Sequence, residues 1–572
     1  MTKYSPLARR VDVPSTLTTD YLSTLSAQDE TALLSYLNLP PLGAFDDQAG
    51  PPALGSDAAY EIEAQTRLPL LARREALGGR FASLDDLRDL ANVSDAQIAT
   101  IVERLGDLSR YGHSLRPVWG GPESLHALIE LLENAERYIH ISMYIIGGEI
   151  GMRVARILAE KRKAGVEVRV MFTASGFVIS GSPSGTGLVS KLSFARQQVS
   201  DRYLRARIVQ HMLDNDVEVV DTAPLARHWK RQSFRERGIR DAASYYRWCR
   251  AEGLRESWIA EQEALDRVIT RGMPYVDHRK MVVVDGKRAL IGSMNIADSY
   301  FYENELAEDP RVNVKRWQWH DNAAILEGGA IAELNHHFAC RWSLSGGGTF
   351  DPDDALYQPP NERRGEAIVT QVASVPGLLE MPMRRNWSRL LLSMLGADRR
   401  PLVEGSHPIR DRIIQLPELA QQQLHVEHCY PSDAGLLERW SERLSKIPEF
   451  VMVVPKHYDT VLMGLECDRF FPDMQAAGAR LYGFNQAIVH SKIAVADSFY
   501  VATGSYNLTV RSARMDLELQ FFVQDSTFGN AVRERICGDL ARCVPIEPTA
   551  IDRFRSRRSI PLLDALIRFF LF

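Results

Sequence analysis

Two stretches of this chain carry the same set of chemically active residue types at the same spacing. His278-Arg279-Lys280-Met281-Val282-Val283-Val284-Asp285 is followed, after six residues, by Gly292-Ser293-Met294-Asn295. His490-Ser491-Lys492-Ile493-Ala494-Val495-Ala496-Asp497 is followed, after six residues, by Gly504-Ser505-Tyr506-Asn507. Both obey H-x-K-x4-D-x6-G-S-x-N, a pattern whose fixed positions would coincide by chance in roughly one of 10^7–10^8 windows. Imidazole is both a nucleophile and a proton carrier near neutral pH, and a lysine supplies fixed positive charge. Residues two apart in a strand share a face, so His278 and Lys280 point the same way, as do His490 and Lys492. A base, a cation, a hydroxyl and an amide on one patch suit a phosphate diester.

The elements that position these residues follow from the same stretches. The apolar run after each lysine continues a strand into Asp285-Gly286 or Asp497-Ser498, which are turn pairs. Two-residue hairpins there set Val284 against Lys287 and, counting back, His278 opposite Ser293 and His490 opposite Ser505. Asp285 and Asp497, at the strand ends, read as turn and interface ligands. Upstream, Tyr138 to Tyr144 reads as a buried strand, Met152 to Ala164 as a helix closed by Gly165, and Val166 to Phe172 as the next strand, a βαβ unit with parallel sheet. The second half repeats these pieces with a strand around Leu424–Cys429, a helix around Ala434–Leu444 and a strand at Phe450–Val454.

At this point the chain resembles the phospholipase D superfamily, whose defining element is the paired H-x-K-x4-D motif. The resemblance covers about residues 115–545. Asn295-Ile296-Ala297-Asp298-Ser299 and Trp319-His320-Asp321, followed by Phe338 and Trp342, look like the first-motif flank of cardiolipin-synthase and eukaryotic-type members. It implies an α/β fold of two pseudo-symmetric α/β/α halves packed on each other, with one active site between them. It also implies that His278 attacks phosphorus to form a phosphohistidine, while His490 protonates the leaving alcohol and then activates water or an acceptor alcohol; the reverse assignment stays open. Lys280 and Lys492, with Ser293, Asn295, Ser505 and Asn507, would hold the phosphate oxygens, and the motif acids Asp285 and Asp497 complete the catalytic set. No metal or other cofactor is required on this reading. A nucleophilic imidazole needs its second nitrogen held by a carboxylate. Glu518 matches the orienting acid after the second motif, and for the first copy Asp321 is the match, with Glu305 as competitor.

The rest of the chain frames these halves. Expected parts are a helical N-terminal region, 1–113; a first half, 114–345, with an insertion at about 227–272; a linker, 346–370; a second half, 371–548; and a basic, apolar C-terminal helix, 549–572. The N-terminal region shows capped helical patterns at Ser83-Leu84-Asp85-Asp86 and Ser94-Asp95-Ala96-Gln97. Phe81 to Leu105 weakly resembles a helix-hairpin-helix, but Asn92-Val93-Ser94 replaces the Gly-x-Gly turn, so a docking or scaffold bundle is preferred there. With 68 basic and 73 acidic residues, the net charge of -5 offers no polycationic field for nucleic acid. Positive charge is instead local. Residues 227–255 hold nine Lys/Arg against three Asp/Glu, interleaved with Trp229, Phe234, Tyr245, Tyr246 and Trp248. That segment suits lipid headgroups, a nucleic-acid backbone, or a helical lid packed on the domain. The tail, Arg553 to Arg558 and then Pro561 to Phe572, suits either a membrane surface or docking on the second half.

Six Cys without a CxxC argue for free thiols in a reducing compartment. No leader peptide and no run of about 18 apolar residues is visible. The protein is therefore expected in the cytoplasm, at most peripheral to a membrane, with delivery as an effector as an alternative. The expected activity is that of a phospholipase D or phosphatidyltransferase acting on glycerophospholipids. The alternatives are a nuclease of the same superfamily and a lipid-binding scaffold.

Overall fold

A computed structural model of the chain describes parts of residues 22–37 and 70–102, and residues 110–173, 206–222, 232–270, 275–301, 318–376, 407–458 and 461–547. Residues Met1–Tyr111 and Gly112–Phe572 form two compact units. In the first unit the described residues are helical turns with a 3-10 turn at Leu84–Leu87, and no strand occurs among them. Leu33, Leu37, Leu70, Phe81, Leu87, Val93 and Ile98 form its buried side. Asp86 caps the 3-10 turn by accepting from the backbone N–H of Ala82 and Ser83.

The second unit holds two large sheets and one two-stranded bridge. Its first half contributes β1 (Ser114–Trp119), β2 (Tyr138–Met143), β3 (Glu167–Phe172), β4 (Glu218–Asp221), β5 (Met281–Val284), β6 (Arg288–Gly292), β7 (Trp319–His320) and β8 (Asn322–Glu327). Its second half contributes β9 (Ile368–Ser374), β10 (Gln423–His428), β11 (Glu449–Pro455), β12 (Arg480–Phe484), β13 (Ile488–Val489), β14 (Lys492–Ala496), β15 (Tyr500–Gly504), β16 (Glu518–Gln524) and β17 (Cys543–Pro545). One sheet runs β1-β8-β6-β5-β2-β3-β4, and the other runs β9-β16-β15-β14-β10-β11-β12-β17. Apart from β17 the two orders coincide, which is the duplicated α/β architecture that the motifs imply.

The expected βαβ units are present. Tyr138 pairs with Glu167 in the parallel ladder of β2 and β3, and Gln423 pairs with Glu449 in that of β10 and β11. The helices between them span Gly148–Lys163 and Ala434–Leu444. Asp433 caps the second helix by accepting from Leu436 N–H. The first ends as Gly165 takes a left-handed φ of 91°, which a side chain would resist.

Strands β2 and β10 are buried on both faces although His140 and Ser142 in the first, and His425, Glu427 and His428 in the second, interrupt their apolar residues. One core lies under Pro122–Glu133 and Gly148–Lys163 against the outer face of the first sheet. A second core spans both sheets, and the helices Ile331–Leu344 and Ser526–Leu540 contribute Leu334, Phe338, Val532 and Ile536 to it. Each such buried Leu, Val, Ile or Phe stabilises the fold by about 1.5–3 kcal/mol, so the halves are joined by core packing rather than by a flexible tether.

One expectation about the connecting segments is corrected, and in the other segment one of the alternatives is favoured. The stretch 346–370 is more than a linker: Tyr357 is buried against Tyr138, Arg169 stacks over Phe350, and β9 begins at Ile368 as the edge strand beside β16. Gly and Pro hide these anchors because they remove periodicity. In the insertion, Phe234 and Tyr245 are fully buried with Ile239, Cys249, Leu254 and Ile259 against Cys340 and Leu344, and Tyr246 and Trp248 pack on them. Its aromatic residues thus build a small helical core while Arg235, Arg237, Arg240, Arg247 and Arg250 stay exposed, the arrangement expected of a packed lid. Trp229 and the C-terminal stretch 549–572 lie outside the described residues. No helix among the described residues is long and apolar enough to cross a membrane.

Candidate active site

The two motif hairpins set the floor of the site, and their turns differ from the expected ones by one residue. Asp285 and Gly286 both have positive φ (57° and 68°), and Lys287 N–H closes the turn onto the Val284 carbonyl. Lys287 is then an extra residue, and the ladder resumes with Val284 opposite Arg288. The second hairpin repeats this at Asp497 and Ser498, with Ala496 opposite Tyr500. Ser293 and Ser505 therefore do not sit directly across from His278 and His490.

The motif acids explain the turn. Asp285 accepts from the backbone N–H of Glu136, Arg137 and Tyr138 at 2.7–2.9 Å, and Asp497 from those of Gln421, Gln422 and Gln423 over the same range. Each carboxylate caps the start of the neighbouring strand, β2 or β10. Seven residues of extended chain, roughly 20 Å, separate each from its motif histidine. Grouped with the catalytic residues at first, they belong to the far end of the sheet.

At the near end the halves exchange partners. Each strand that leads into a motif histidine pairs with the segment that precedes the other half's acid. His278 N–H donates to the Leu517 carbonyl at 2.9 Å and His490 N–H to the His320 carbonyl at 2.7 Å, while β13 and β7 form a parallel pair. In consequence His278 Nδ1 lies 3.1 and 3.2 Å from the two Glu518 oxygens, and His490 Nδ1 lies 2.7 Å from Asp321 Oδ2. The sequence reading kept each acid with its own motif, Asp321 with the first and Glu518 with the second; the fold crosses them. Glu305, the competitor of Asp321, lies outside the described residues.

Each acid is fixed by hydroxyl groups of its own half. Glu518 accepts from Ser505 Oγ (2.5 Å) and Ser512 Oγ (2.7 Å). Asp321 accepts from Ser293 Oγ and from Asn322 N–H (2.8 Å). Ser293 and Ser505, expected on the phosphate, thus spend their protons on the carboxylates beneath the imidazoles. Asn295 is likewise committed, accepting from Ile145 N–H at 3.1 Å and donating to Tyr300 Oη at 2.7 Å. Asn507 Oδ1 accepts from the Cys429 thiol. Because an ionised carboxylate only accepts, each His carries its proton on Nδ1 and keeps Nε2 for chemistry.

The lysines face the same space. Lys280 Nζ donates to the His278 carbonyl (2.6 Å), and Lys492 Nζ donates to the His490 carbonyl (2.9 Å) and lies 3.2 Å from its Nδ1. Burial pushes Lys280 down to about 7; Glu518 opposes this, and the charge of Lys492 adds to it. Burial also holds both imidazoles low, His278 with the help of Lys280, and His490, at about 3, with that of Lys492. Glu518 is pushed up to about 7 by burial, against the pull of Lys280, Ser505 and Ser512. These cross-influences between the two motifs are those of one shared site.

Several contacts were not singled out from the sequence. Trp319 stacks on His490 at 4.5 Å, and Tyr144 meets the edge of His278 at 5.1 Å. Asn322 links the halves, with Oδ1 accepting from Lys492 N–H and Nδ2 donating to Thr503. Arg511 holds Asp516 through two 3.0 Å bonds, two residues before Glu518. Only Trp319 had a signal in the sequence, as the first residue of Trp319-His320-Asp321.

Comparison with known proteins fits this geometry. The family described as cardiolipin synthase, phospholipase D-like domain, matches residues 128–308 and 413–538, more than half of the chain. A cardiolipin synthase A of Pectobacterium carotovorum subsp. carotovorum (strain PC1) is 26% identical over 295 residues, 50% of this chain and 54% of that protein. One of Edwardsiella ictaluri (strain 93-146) is 27% identical over 282 residues, 48% and 51% of the two chains. The chain thus spans about half the length of the curated relatives it matches. Among solved structures, phosphatidylserine synthase of Haemophilus influenzae Rd KW20 aligns over 81% of this chain and 98% of its own, with 14% identity and a TM-score of 0.46. With its matched segments bracketing both motif strands, the chain belongs to the cardiolipin synthase, phospholipase D-like family.

Proposed function

We propose that this protein is a phospholipase D or phosphatidyltransferase that cleaves the headgroup phosphodiester of glycerophospholipids through a phosphohistidine. One observation carries the reading: two imidazoles, each with Nδ1 on a buried carboxylate of the other half, share a site with two lysines. His278 Nε2 attacks phosphorus, the P–N bond forms, and the P–O bond to the headgroup breaks. His490 gives its Nε2 proton to the departing alkoxide. Neutral His490 then takes a proton from water or an acceptor alcohol, whose oxygen attacks phosphorus and breaks the P–N bond. Water gives phosphatidate; an alcohol gives a new phosphodiester.

The electrostatics support these roles. A depressed pKa keeps His278 an unprotonated nucleophile at neutral pH. Burial and, after it, the charge of Lys492 hold His490 low; a phosphate bound between the lysines offsets their charge and so favours a protonated His490 in the substrate complex. The lysines also meet the charge that develops on the phosphoryl oxygens. The similarity to cardiolipin synthases favours a phospholipid over a nucleic acid.

Liposomes of phosphatidylcholine, phosphatidylethanolamine or phosphatidylglycerol, with mass spectrometry of headgroup and lipid products, test the reading. Headgroup release is expected with wild-type protein and not with His278→Ala or His490→Ala; added glycerol or phosphatidylglycerol shows whether transfer competes with hydrolysis. Cleavage of plasmid or single-stranded DNA with intact liposomes would replace the reading with the nuclease one.

A further inference from the structure

Behind the acid that holds His490, three ionisable side chains with no part in the proposed chemistry meet in the core. His320 comes from β7 of the first half, Glu427 from β10 of the second, and Asp539 from the helix Ser526–Leu540. Their ligand atoms all lie within 4.8 Å of one another, and all three residues are buried. His320 Nε2 is 2.8 Å from Asp539 Oδ2 and 3.8 Å from Glu427 Oε1.

A second observation shows that this cluster lacks something. Glu427 has no solvent exposure, yet neither of its carboxylate oxygens is in a hydrogen bond. The nearby Ser491 hydroxyl donates to the His320 carbonyl at 3.4 Å. Equally buried, Glu518 and Asp321 each accept two hydrogen bonds besides their imidazole. A buried carboxylate is tolerated when it is paired, protonated or bound to a metal.

The geometry fits a cation. Bonds of 2.0–2.2 Å in a tetrahedral array separate the donor atoms by about 3.4 Å. The separations from His320 Nε2, 2.8 and 3.8 Å, straddle that value. A neutral imidazole, two carboxylates and a divalent ion sum to zero charge. One nitrogen and two oxygens favour first-row metals over Mg2+ or Ca2+, which take all-oxygen sets.

We propose that His320, Glu427 and Asp539 form a buried site for a first-row divalent cation, Zn2+ or Mn2+, which clamps the two halves together behind His490. The sequence reading called for no metal because lysines, asparagines and serines were taken to hold the phosphate oxygens; His320, Glu427 and Asp539 lie more than 100 residues apart and meet only in the fold. The cation is structural. It holds His320, whose carbonyl receives His490 N–H and whose neighbour Asp321 receives His490 Nδ1–H. The inference stands independently of the substrate.

Inductively coupled plasma mass spectrometry of the full chain, purified in chelator-free buffer, tests it. About one equivalent of zinc or manganese is expected in wild type and in His278→Ala, falling at least tenfold in the near-isosteric Glu427→Gln and Asp539→Asn. Dialysis against EDTA should lower the wild-type Tm and ZnCl2 should restore it, with no response from Glu427→Gln. The site is refuted if wild type holds no first-row metal and ZnCl2 leaves its Tm unmoved, or if both carboxylate variants keep a full equivalent.

Discussion

The segments that deliver the two orienting acids are Trp319-His320-Asp321 beside His490 and Asp516-Leu517-Glu518 beside His278. They hold equivalent places in the duplicated fold, yet only the acids correspond in chemistry. Two residues before Asp321 an indole stacks on His490; two residues before Glu518 a carboxylate, held by Arg511, lies on the His278 side. One residue before, His320 enters the cluster with Glu427 and Asp539, whereas Leu517 packs with Leu265 and Tyr275 in an apolar cluster that the insertion helps build. The position of Glu427, opposite the third residue after the motif histidine, is held in the first half by Ser142. The frame was copied and the surroundings diverged. Burial holds both imidazoles low; Lys280 adds to this at His278 against the pull of Asp516, and Lys492 adds to it at His490 against the pull of Asp321.

The sharpest way to break that comparison is to remove each imidazole. His278→Ala and His490→Ala should each lower turnover by about 10^3 or more, because nucleophile and proton carrier are both obligatory. Only His490→Ala should accumulate a covalent phosphatidyl-enzyme, seen as a mass increase after acid quench. Accumulation in His278→Ala alone would exchange the two roles.

The acids come next. Glu518→Gln and Asp321→Asn should each lower turnover at least tenfold with folding intact by circular dichroism. Because the acids are crossed, Asp321→Asn should recover most of its rate on a nitrophenyl ester, whose leaving group needs no proton, and Glu518→Gln should not. The opposite pattern would assign each acid to its own half.

A smaller effect lies in the pH profile. Lys280, lowered to about 7, is charged below that pH, and Glu518, raised to about 7, is ionised above it. kcat/KM should therefore fall on both sides of a maximum near neutrality. Lys280→Arg keeps its charge as pH rises and should move the alkaline limb upward; an unmoved limb would remove Lys280 from the titrating groups. The smallest effect on turnover belongs to the motif acids. Asp285→Asn and Asp497→Asn leave strand-end N–H groups with a poorer acceptor and should cost about 1–3 kcal/mol by urea unfolding, with kcat within twofold. A large loss of kcat in a stable Asp285→Asn would bring that residue back to the chemistry.

Much of this was legible in the residues themselves. The βαβ units followed from apolar runs, caps and glycine stops, and the helix at Ala434–Leu444 was readable to its ends. His278, Lys280, His490 and Lys492 were identified by spacing alone, because residues two apart in a strand must share a face. The hairpin register was missed by one residue because both turns hold two left-handed residues and one extra, which composition does not reveal. Ser293 and Ser505 were placed at the right end of the hairpin but on the wrong partner: their hydroxyl protons go to buried carboxylates that lie 28 and 13 residues onward.

By itself, then, the sequence determined the local order of elements, the duplication, and which residue types could do chemistry. These depend on periodicities of two and 3.6 and on short-range spacing, which a linear chain records. The tertiary structure alone decided which acid serves which imidazole, why the motif aspartates cap distant strands, and how His320 meets Glu427 and Asp539. The crossed acids and the His320 cluster follow from packing the two halves against each other, and the aspartate caps from pairing β5 with β2 and β14 with β10 across long stretches of chain; short-range spacing records neither.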